Sequence, residues 1–287
     1  MLSFFSHAKL QAAWSYQSSG HLWRILFGEK GHIVGEVRDH DAKRVSFFCL
    51  QEATGAPLWE HYTMTEPWWL GIEAVHGDTL ILHGFHKPDL PEHRRIFVLD
   101  LDTGRQRWVN EDLTFWFAYR GKIYAHQTLF EKRVGYVLAI ETGDVLETHN
   151  NGIEDLFAVR RLAQEEDYSE LFLFPNVFEK AHGSAIAESL LSKHLKRKQI
   201  AGNVEYVQKE PFLLYNYHLQ TSEKELENHF VILETRRGRE LFSDVLAQGV
   251  PAPVPDSFFL RDSTVYYVKG RNTLVSLPLP DQSSGGS

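Results

Sequence analysis

Three histidines lie close together in one short segment of the chain. His83, His86 and His93 fall within residues 82–93, which also contain two carboxylates. Imidazole nitrogens and nearby carboxylates are the ligands that zinc and iron take in proteins. However, two prolines interrupt the segment and the spacing places the three rings on no common face. With 15 histidines in the chain, chance clusters are expected. We therefore interpret the three as structural or solvent-exposed, and keep a metal site as the alternative.

The sequence has no arrangement typical of nucleophilic catalysis. His182-Gly183-Ser184 falls inside a predicted helix, whereas a hydrolase nucleophile sits on a strand-to-helix turn. Cys49 lies between two apolar residues of a predicted strand, which favours an inert buried thiol. Phosphate-binding and dinucleotide-binding glycine motifs are absent. The sequence therefore predicts no catalytic residue and no cofactor.

The elements that carry these residues repeat along the chain. At Phe97–Trp108 a strand runs into a Thr-Gly turn, and a tryptophan follows four residues after the glycine. The same frame returns at Phe48–Trp59, Tyr136–Glu147 and Val231–Phe242. The turn glycines, which supply a positive φ, are Gly55, Gly104, Gly143 and Gly238. Recurrence at this period is typical of repeat architectures.

A second pair of short strands precedes each frame, so the unit is a four-stranded antiparallel meander, the size of a propeller blade. The sequence predicts an all-β propeller of about six blades, and seven are compatible with the spacing. The first three blades cover about 21–64, 68–112 and 114–150, and the fifth covers about 203–247. The fourth begins near residue 155 with strands Leu156–Arg160 and Leu171–Pro175. The sixth has three strands, Ser257–Arg261, Thr264–Val268 and Leu274–Leu277, and takes its outer strand from residues 13–16, which closes the ring.

One helical insertion interrupts the repeats. Apolar residues recur at helical spacing from Val177 to Lys198, and the segment ends in a basic cluster. We interpret that cluster as favourable charge at a helix C-terminus rather than as a nucleic-acid site, because the chain carries a net charge of −8. We expect one domain over residues 1–280 and a flexible tail over 281–287.

Composition sets the expected location. The sequence contains no run of 18 apolar residues, so no membrane span is predicted. The N-terminus lacks the basic and apolar regions of a signal peptide. A single cysteine permits no internal disulfide, which is typical of cytosolic proteins. We therefore expect the protein in the cytosol.

The frame at 97–108 resembles the quinoprotein-type (PQQ-like) propeller repeat, in which a leucine-aspartate pair precedes a Thr-Gly turn and a docking tryptophan. The resemblance implies that the tryptophan packs near the glycine turn of the next blade. Trp59 and Trp108 would take this role, and Phe242 would partly substitute for a tryptophan in its frame. Glu147, at the equivalent position of the third frame, departs from the pattern.

The whole chain is similar to a bacterial domain-of-unknown-function family of such propellers. The similar segments are 14–16, 22–24, the helical insertion leading to 204–206, and 228–233 running on to 256–259. This resemblance implies a propeller with no assigned activity. Quinoprotein dehydrogenases resemble the repeat too, but they are exported, have eight blades and hold the quinone against a vicinal disulfide. One cysteine and about six blades argue against that cofactor.

The expected function is therefore a non-catalytic interaction scaffold with an unknown protein partner and no nucleic acid. Rigid scaffolds carry their binding residues in loops. The candidate binding face includes Trp68, Trp69, His83 and His86. The alternative is an enzyme or metal-binding protein that uses the mouth of the central channel and the His83–His93 loop.

Overall fold

The computed structural model describes residues 9–85, 92–130, 132–166, 171–179 and 184–280. The described ranges are all-β apart from two short α-helices and short 3₁₀ turns. It divides into two compact units, Ser18–Asp167 and Met1–Gln17 with Tyr168–Ser287. His86, the His182-Gly183 pair and the tail 281–287 lie outside the described residues.

The unit Ser18–Asp167 contains three four-stranded sheets. The strands follow β1 (Trp14–Gln17), which belongs to the other unit. Sheet 1 contains β2 (His21–Phe27), β3 (His32–Asp39), β4 (Arg44–Gln51) and β5 (Pro57–Tyr62). Sheet 2 contains β6 (Leu70–His76), β7 (Thr79–Phe85), β8 (His93–Asp100) and β9 (Gln106–Asn110). Sheet 3 contains β10 (Thr114–Tyr119), β11 (Lys122–Leu129), β12 (Lys132–Ala139) and β13 (Val145–His149). Each is an antiparallel meander in chain order, which confirms the predicted four-stranded unit.

These sheets bury both faces of their middle strands. In β7, Leu80 and Leu82 pack with Phe47 of sheet 1, whereas Ile81 points to the other face and packs with Ile123 of sheet 3. Successive side chains of a strand point to opposite faces, so an unbroken apolar run is what a strand between two sheets requires.

Two tryptophans dock on the glycine turns of the following sheets. A Cβ atom at Gly104 would lie 2.9 Å from the Trp59 ring, and one at Gly143 would lie 2.8 Å from the Trp108 ring. The indole N–H of Trp59 donates to the carbonyl of Leu101, and that of Trp108 donates to the carbonyl of Ile140, both at 2.8 Å. The turn glycines Gly55, Gly104, Gly143 and Gly238 all have φ between +63° and +77°.

The second unit contains two five-stranded sheets. Sheet 4 contains β15 (Asn176–Val177), β16 (Ile200–Lys209), β17 (Phe212–Ser222), β18 (Glu225–Glu234) and β19 (Arg239–Val250). Sheet 5 has the order β1, β22 (Thr273–Pro278), β21 (Thr264–Lys269), β20 (Phe258–Arg261) and β14 (Phe172–Leu173). The N-terminal strand β1 runs antiparallel to β22 and pairs Trp14 with Ser276, so residues at the two ends of the chain share one sheet.

The fourth predicted blade is wrong. Residues 154–156 form a 3₁₀ turn that leads into α1 (Phe157–Glu165), where a strand over Leu156–Arg160 was expected. Leu156, Val159 and Ala163 share one face at helical spacing and pack against aromatic residues of β10. The expected strand Leu171–Pro175 yields only β14, which pairs with β20. The described residues therefore form five sheets, where six blades were expected.

The second helix is shorter than predicted. α2 spans Ala185–Leu195 rather than 177–198, and Val177 belongs to β15. Ser184 was predicted to lie inside the helix, but it is the N-cap residue. Its hydroxyl accepts a hydrogen bond from the N–H of Ala187 at 3.1 Å. Neither helix in the described ranges is long and apolar enough to cross a membrane.

α2 covers the one glycine turn in sheet 4. A Cβ atom at Gly238 would lie 2.7 Å from a methyl of Leu190, and Nε2 of His194 lies 3.0 Å from the Gly238 carbonyl. Leucine thus occupies the space that an indole takes at the other two turns. Phe242 packs instead between Phe230 and Tyr267, at 6.2 and 6.3 Å between ring centroids.

Candidate functional site

Two of the three histidines meet at one carboxylate of sheet 2. Oε1 of Glu73 lies 2.7 Å from Nδ1 of His93 and 3.2 Å from Nδ1 of His83. The imidazole of His93 donates a hydrogen bond to this oxygen. The two rings stack with centroids 3.5 Å apart and 8° between their planes. One ligand atom from each of the three residues lies within 4.8 Å of the others.

Two irregularities in the strands assemble this cluster. In β6, Ile72 pairs with Leu82 and Ala74 pairs with Ile81, so Glu73 is an extra residue. Between β7 and β8, the register shifts after His83, and Arg95 is extra with φ +72°. Such bulges redirect side chains and are frequent at functional sites.

The spacing in the sequence hid this arrangement. His83 and His93 are ten residues apart, but they lie on adjacent antiparallel strands, in which Phe85 pairs with His93. They therefore do reach a common site, contrary to the expectation of no common face. Glu73 was missed because it lies outside the histidine segment, and only its place on the preceding strand signals it.

The cluster is closed on the His83 side and open on the His93 side. The exposed fraction of the side chain is 5% for His83, 14% for Glu73 and 34% for His93. A Cβ atom at Gly71 would lie 2.7 Å from Cε1 of His83, so the imidazole fills the space that this glycine leaves. The Phe85 ring contacts both imidazoles edge-on, at 5.1 and 5.2 Å between centroids.

Burial and charge set the protonation of the cluster. Burial by itself raises the pKa of the Glu73 carboxyl, but its contacts with His83 and His93 and their charges outweigh burial and lower the pKa to about 2. Burial lowers the pKa of His83, and the nearby Glu73 charge opposes this only in part. At neutral pH the site therefore combines an ionised carboxylate with a neutral imidazole. Both ring nitrogens of His83 are buried and neither makes an aligned hydrogen bond.

An open pocket of about 270 Å³ lies beside the cluster and is lined by Phe85 and two ion pairs. Arg94 pairs with Asp112 at 2.9 Å, and Arg95 pairs with Glu111 at 3.1 Å. Because each arginine faces a carboxylate, the rim offers both charges to a ligand.

An aromatic and cationic surface lies at the ends of strands in sheets 1 and 2. We call it the tryptophan surface, and it consists of His21, Trp23, Arg38, His40, Lys43 and Trp68. The guanidinium of Arg38 lies 4.8 Å from the ring centroid of Trp68 and 5.6 Å from that of Trp23. Trp23 is 62% exposed.

Hydrogen bonds hold this surface in place. Arg38 donates to Oε1 of Glu36 and to the carbonyl of Leu70, both at 2.6 Å. The carboxylate of Glu66 accepts the backbone N–H of both Trp68 and Trp69 at 3.0 Å. The two tryptophans therefore lie in a bend directly before β6.

The unit that includes sheet 4 contains a separate buried polar cluster that the sequence reasoning missed. Asn228 donates to Oγ of Ser257 at 2.6 Å, and Asn216 donates to the same oxygen at 3.4 Å. The carbonyl oxygens of both amides are buried without a partner. Nε2 of His218 accepts from the backbone N–H of Val254 at 3.0 Å. Isolated polar residues within apolar strands were the only signal for this cluster in the sequence.

A family model matches part of the chain. Residues 28–108 match the Domain of unknown function (DUF4905). This range contains Glu73, His83, His93 and most of sheets 1 and 2. No curated protein sequence matches the chain.

Solved structures similar to the chain include propellers. A eukaryotic initiation factor matches with 7% identity over 81% of this chain and 56% of its own, at a TM-score of 0.34. The Dos1 propeller matches with 8% identity over 91% of this chain and 56% of its own, at 0.30. The WD40 domain of SCAP from fission yeast matches with 9% identity over 92% of this chain and 54% of its own, at 0.29. The chain thus spans little more than half the length of these structures, and at such scores the likenesses carry no argument about function.

Proposed function

We propose that the chain is a β-propeller of the quinoprotein-like repeat type that acts as a non-catalytic protein-binding module. Successive four-stranded meanders support this arrangement, as does the docking of Trp59 and Trp108 on the next glycine turn. In the proposal each sheet is a blade, and β1 closes the ring by pairing with β22. The single buried thiol of Cys49 supports a location in the cytosol.

The tryptophan surface is the observation that carries the binding function. Trp23 leaves 62% of its surface in contact with water, although the burial of an indole is strongly favourable. Tryptophan and arginine are the residues that most often dominate the energy of protein interfaces. Here Arg38 already stacks between two indoles, so little side-chain entropy is lost when a partner binds.

The composition of this surface indicates the class of partner. Glu36 neutralises Arg38, and Lys43 lies 5.0 Å over the Trp68 ring with its charge available to a ligand. His21 and His40 add two imidazole rings to this surface, with centroids 5.8 Å apart. Asp39 and Asp41 flank His40, and the Glu66 carboxylate accepts the backbone N–H of Trp68, so the surface carries both charges. We therefore propose that the partner presents an apolar or aromatic segment, which packs on the exposed Trp23.

Affinity capture from native lysate tests the proposal. The wild-type chain should retain a stoichiometric partner, and Trp23→Ala should reduce its recovery at least tenfold. Phe130→Ala is the matched control, because Phe130 is a fully exposed aromatic residue at the β11–β12 turn, away from the tryptophan surface. Its capture should equal that of the wild type. Capture of no partner by the wild type, or equal capture by Trp23→Ala, would overturn the proposal.

A further inference from the structure

We propose that Glu73, His83 and His93 bind a divalent transition-metal ion of the zinc class. The set supplies two imidazole nitrogens and one carboxylate oxygen. Such borderline donors suit zinc and its neighbours in the first transition series, whereas magnesium and calcium prefer oxygen alone. Three protein ligands leave at least one position of a four-coordinate ion free.

The distances between the donor atoms are close to those that coordination requires. Zinc lies about 2.0–2.2 Å from nitrogen and oxygen ligands, so the donor atoms of a tetrahedral site are about 3.3 Å apart. Nδ1 of His83 and Oε1 of Glu73 are 3.2 Å apart. Nδ1 of His93 and the same oxygen are 2.7 Å apart, and this pair needs to separate by about 0.6 Å to reach the tetrahedral spacing.

The histidine stack must open when the ion binds. A metal lies in the plane of each imidazole that ligates it, and the two planes are now nearly parallel at 8°. His83 cannot turn, because Gly71 and Phe85 confine its ring. His93 can turn, because it is one-third exposed and begins β8, while its carbonyl is held by the hydroxyl of Thr114 at 2.9 Å.

His83 supplies the observation that points to a ligand. Its side chain is 95% buried, and neither ring nitrogen makes an aligned hydrogen bond. Buried polar atoms are nearly always satisfied, because leaving one without a partner is unfavourable. Nδ1 faces the Glu73 carboxylate at 3.2 Å, where an ion held between them would satisfy both groups.

Metal binding can be measured directly on the full chain. After treatment with a chelator and its removal, the protein is titrated with Zn²⁺ in competition with a chromophoric chelator, and separately with Co²⁺. We expect one ion per chain and a visible Co²⁺ ligand-field spectrum with nitrogen and oxygen donors. Glu73→Gln and His93→Gln each remove one ligand. Each should weaken Zn²⁺ binding more than about 100-fold, because loss of an outer-shell partner alone costs up to that factor.

His61→Gln is the matched control. His61 is an exposed histidine 3.8 Å from the Glu60 carboxylate, so it tests a surface His–Glu pair in the same unit. It should leave the affinity unchanged. Far-UV circular dichroism verifies that each variant folds. The stoichiometry of Zn²⁺ binding by the wild type tests the proposal even if a variant fails to fold. The proposal is overturned if the wild type binds no ion at micromolar Zn²⁺, or if both ligand variants bind as the wild type does. Trp23→Ala should bind Zn²⁺ as the wild type does. Failure of metal binding and failure of partner binding can therefore be told apart.

Discussion

Replacing Gly143 by alanine tests how sheets 2 and 3 are held together. Gly143 has φ +77°, a conformation that L-residues adopt at a cost. A Cβ atom there would also lie 2.8 Å from Cδ2 of Trp108, which is closer than real Cβ contacts. Alanine therefore introduces two separate penalties, one in the backbone and one in the docking of the indole.

The two penalties can be estimated from the structure. The left-handed backbone costs a residue other than glycine about 1–2 kcal/mol. Forcing an extra methyl group into a packed contact costs about 1–3 kcal/mol. Displacement of the indole also lengthens its 2.8 Å hydrogen bond to the carbonyl of Ile140, whose net contribution is about 1 kcal/mol. We expect Gly143→Ala to lower the free energy of unfolding by about 3–6 kcal/mol.

Gly121→Ala is the control that isolates the backbone penalty. Gly121 has φ +72°, and a Cβ atom there meets nothing within 4 Å. It should lower the free energy of unfolding by only about 1–2 kcal/mol. Urea unfolding followed by circular dichroism and tryptophan fluorescence measures both variants. In a Trp108→Ala background the cost of Gly143→Ala should fall to that of Gly121→Ala, because the clash is gone. Equal destabilisation by Gly143→Ala and Gly121→Ala in the wild-type background would refute the docking argument.

Three further predictions concern single residues of the same unit. Burial, followed by the charge of Asp102, raises the pKa of the Cys49 thiol to about 12, so a thiol reagent at pH 8 should label the chain only after unfolding in urea. Arg107 and then Thr103 lower the pKa of Asp100 to about 2; the resulting stability is present above the ordinary pKa of about 3.9 and is lost as the pH falls toward 2. Asp100→Asn should therefore flatten the fall of the urea midpoint between pH 4 and 2, and an unchanged slope would contradict this. A Cβ atom at Gly35 would lie 2.0 Å from the Phe48 ring, so Gly35→Ala should cost about 3 kcal/mol or more in urea unfolding, which a shorter side chain at position 48 should partly restore.

The repeated frames were predictable because the same residue types stand at the same positions of each frame. A leucine and a turn glycine recur at fixed offsets in all four frames, and an aromatic residue follows four residues later in three of them. Strands β4 and β5, for example, could therefore be placed within a few residues. The failure at 156–160 has a physical cause. A short apolar run is ambiguous between strand and helix, and contacts of Leu156 and Val159 with β10 decide for the helix.

The candidate site was predictable only in part. Histidines in one segment drew attention to His83 and His93, but the sequence gives no register for a long connection between two strands. The bulge at Glu73 depends on which residue of β6 is left unpaired opposite β7, and no local propensity encodes this. Long-range pairing therefore created the cluster, and a pattern read along the chain could not place its third member.

One position of the repeated sheets is occupied by polar residues of different types. Four polar residues occupy the fifth position of the second strand in the consecutive runs β2–β5, β6–β9, β10–β13 and β16–β19, and these are Glu36 of β3, His83 of β7, His126 of β11 and Asn216 of β17. The residues before them are mostly apolar and build the contacts between sheets, so the identities at those positions are constrained. At the fifth position the side chain changes from a carboxylate to an imidazole to an amide. Residues that are the same in each repeat explain how the sheets pack. Residues that differ at equivalent positions of the repeats are the candidates for function. His83 binds an ion in our proposal because the bulge of β6 brings Glu73 to this position.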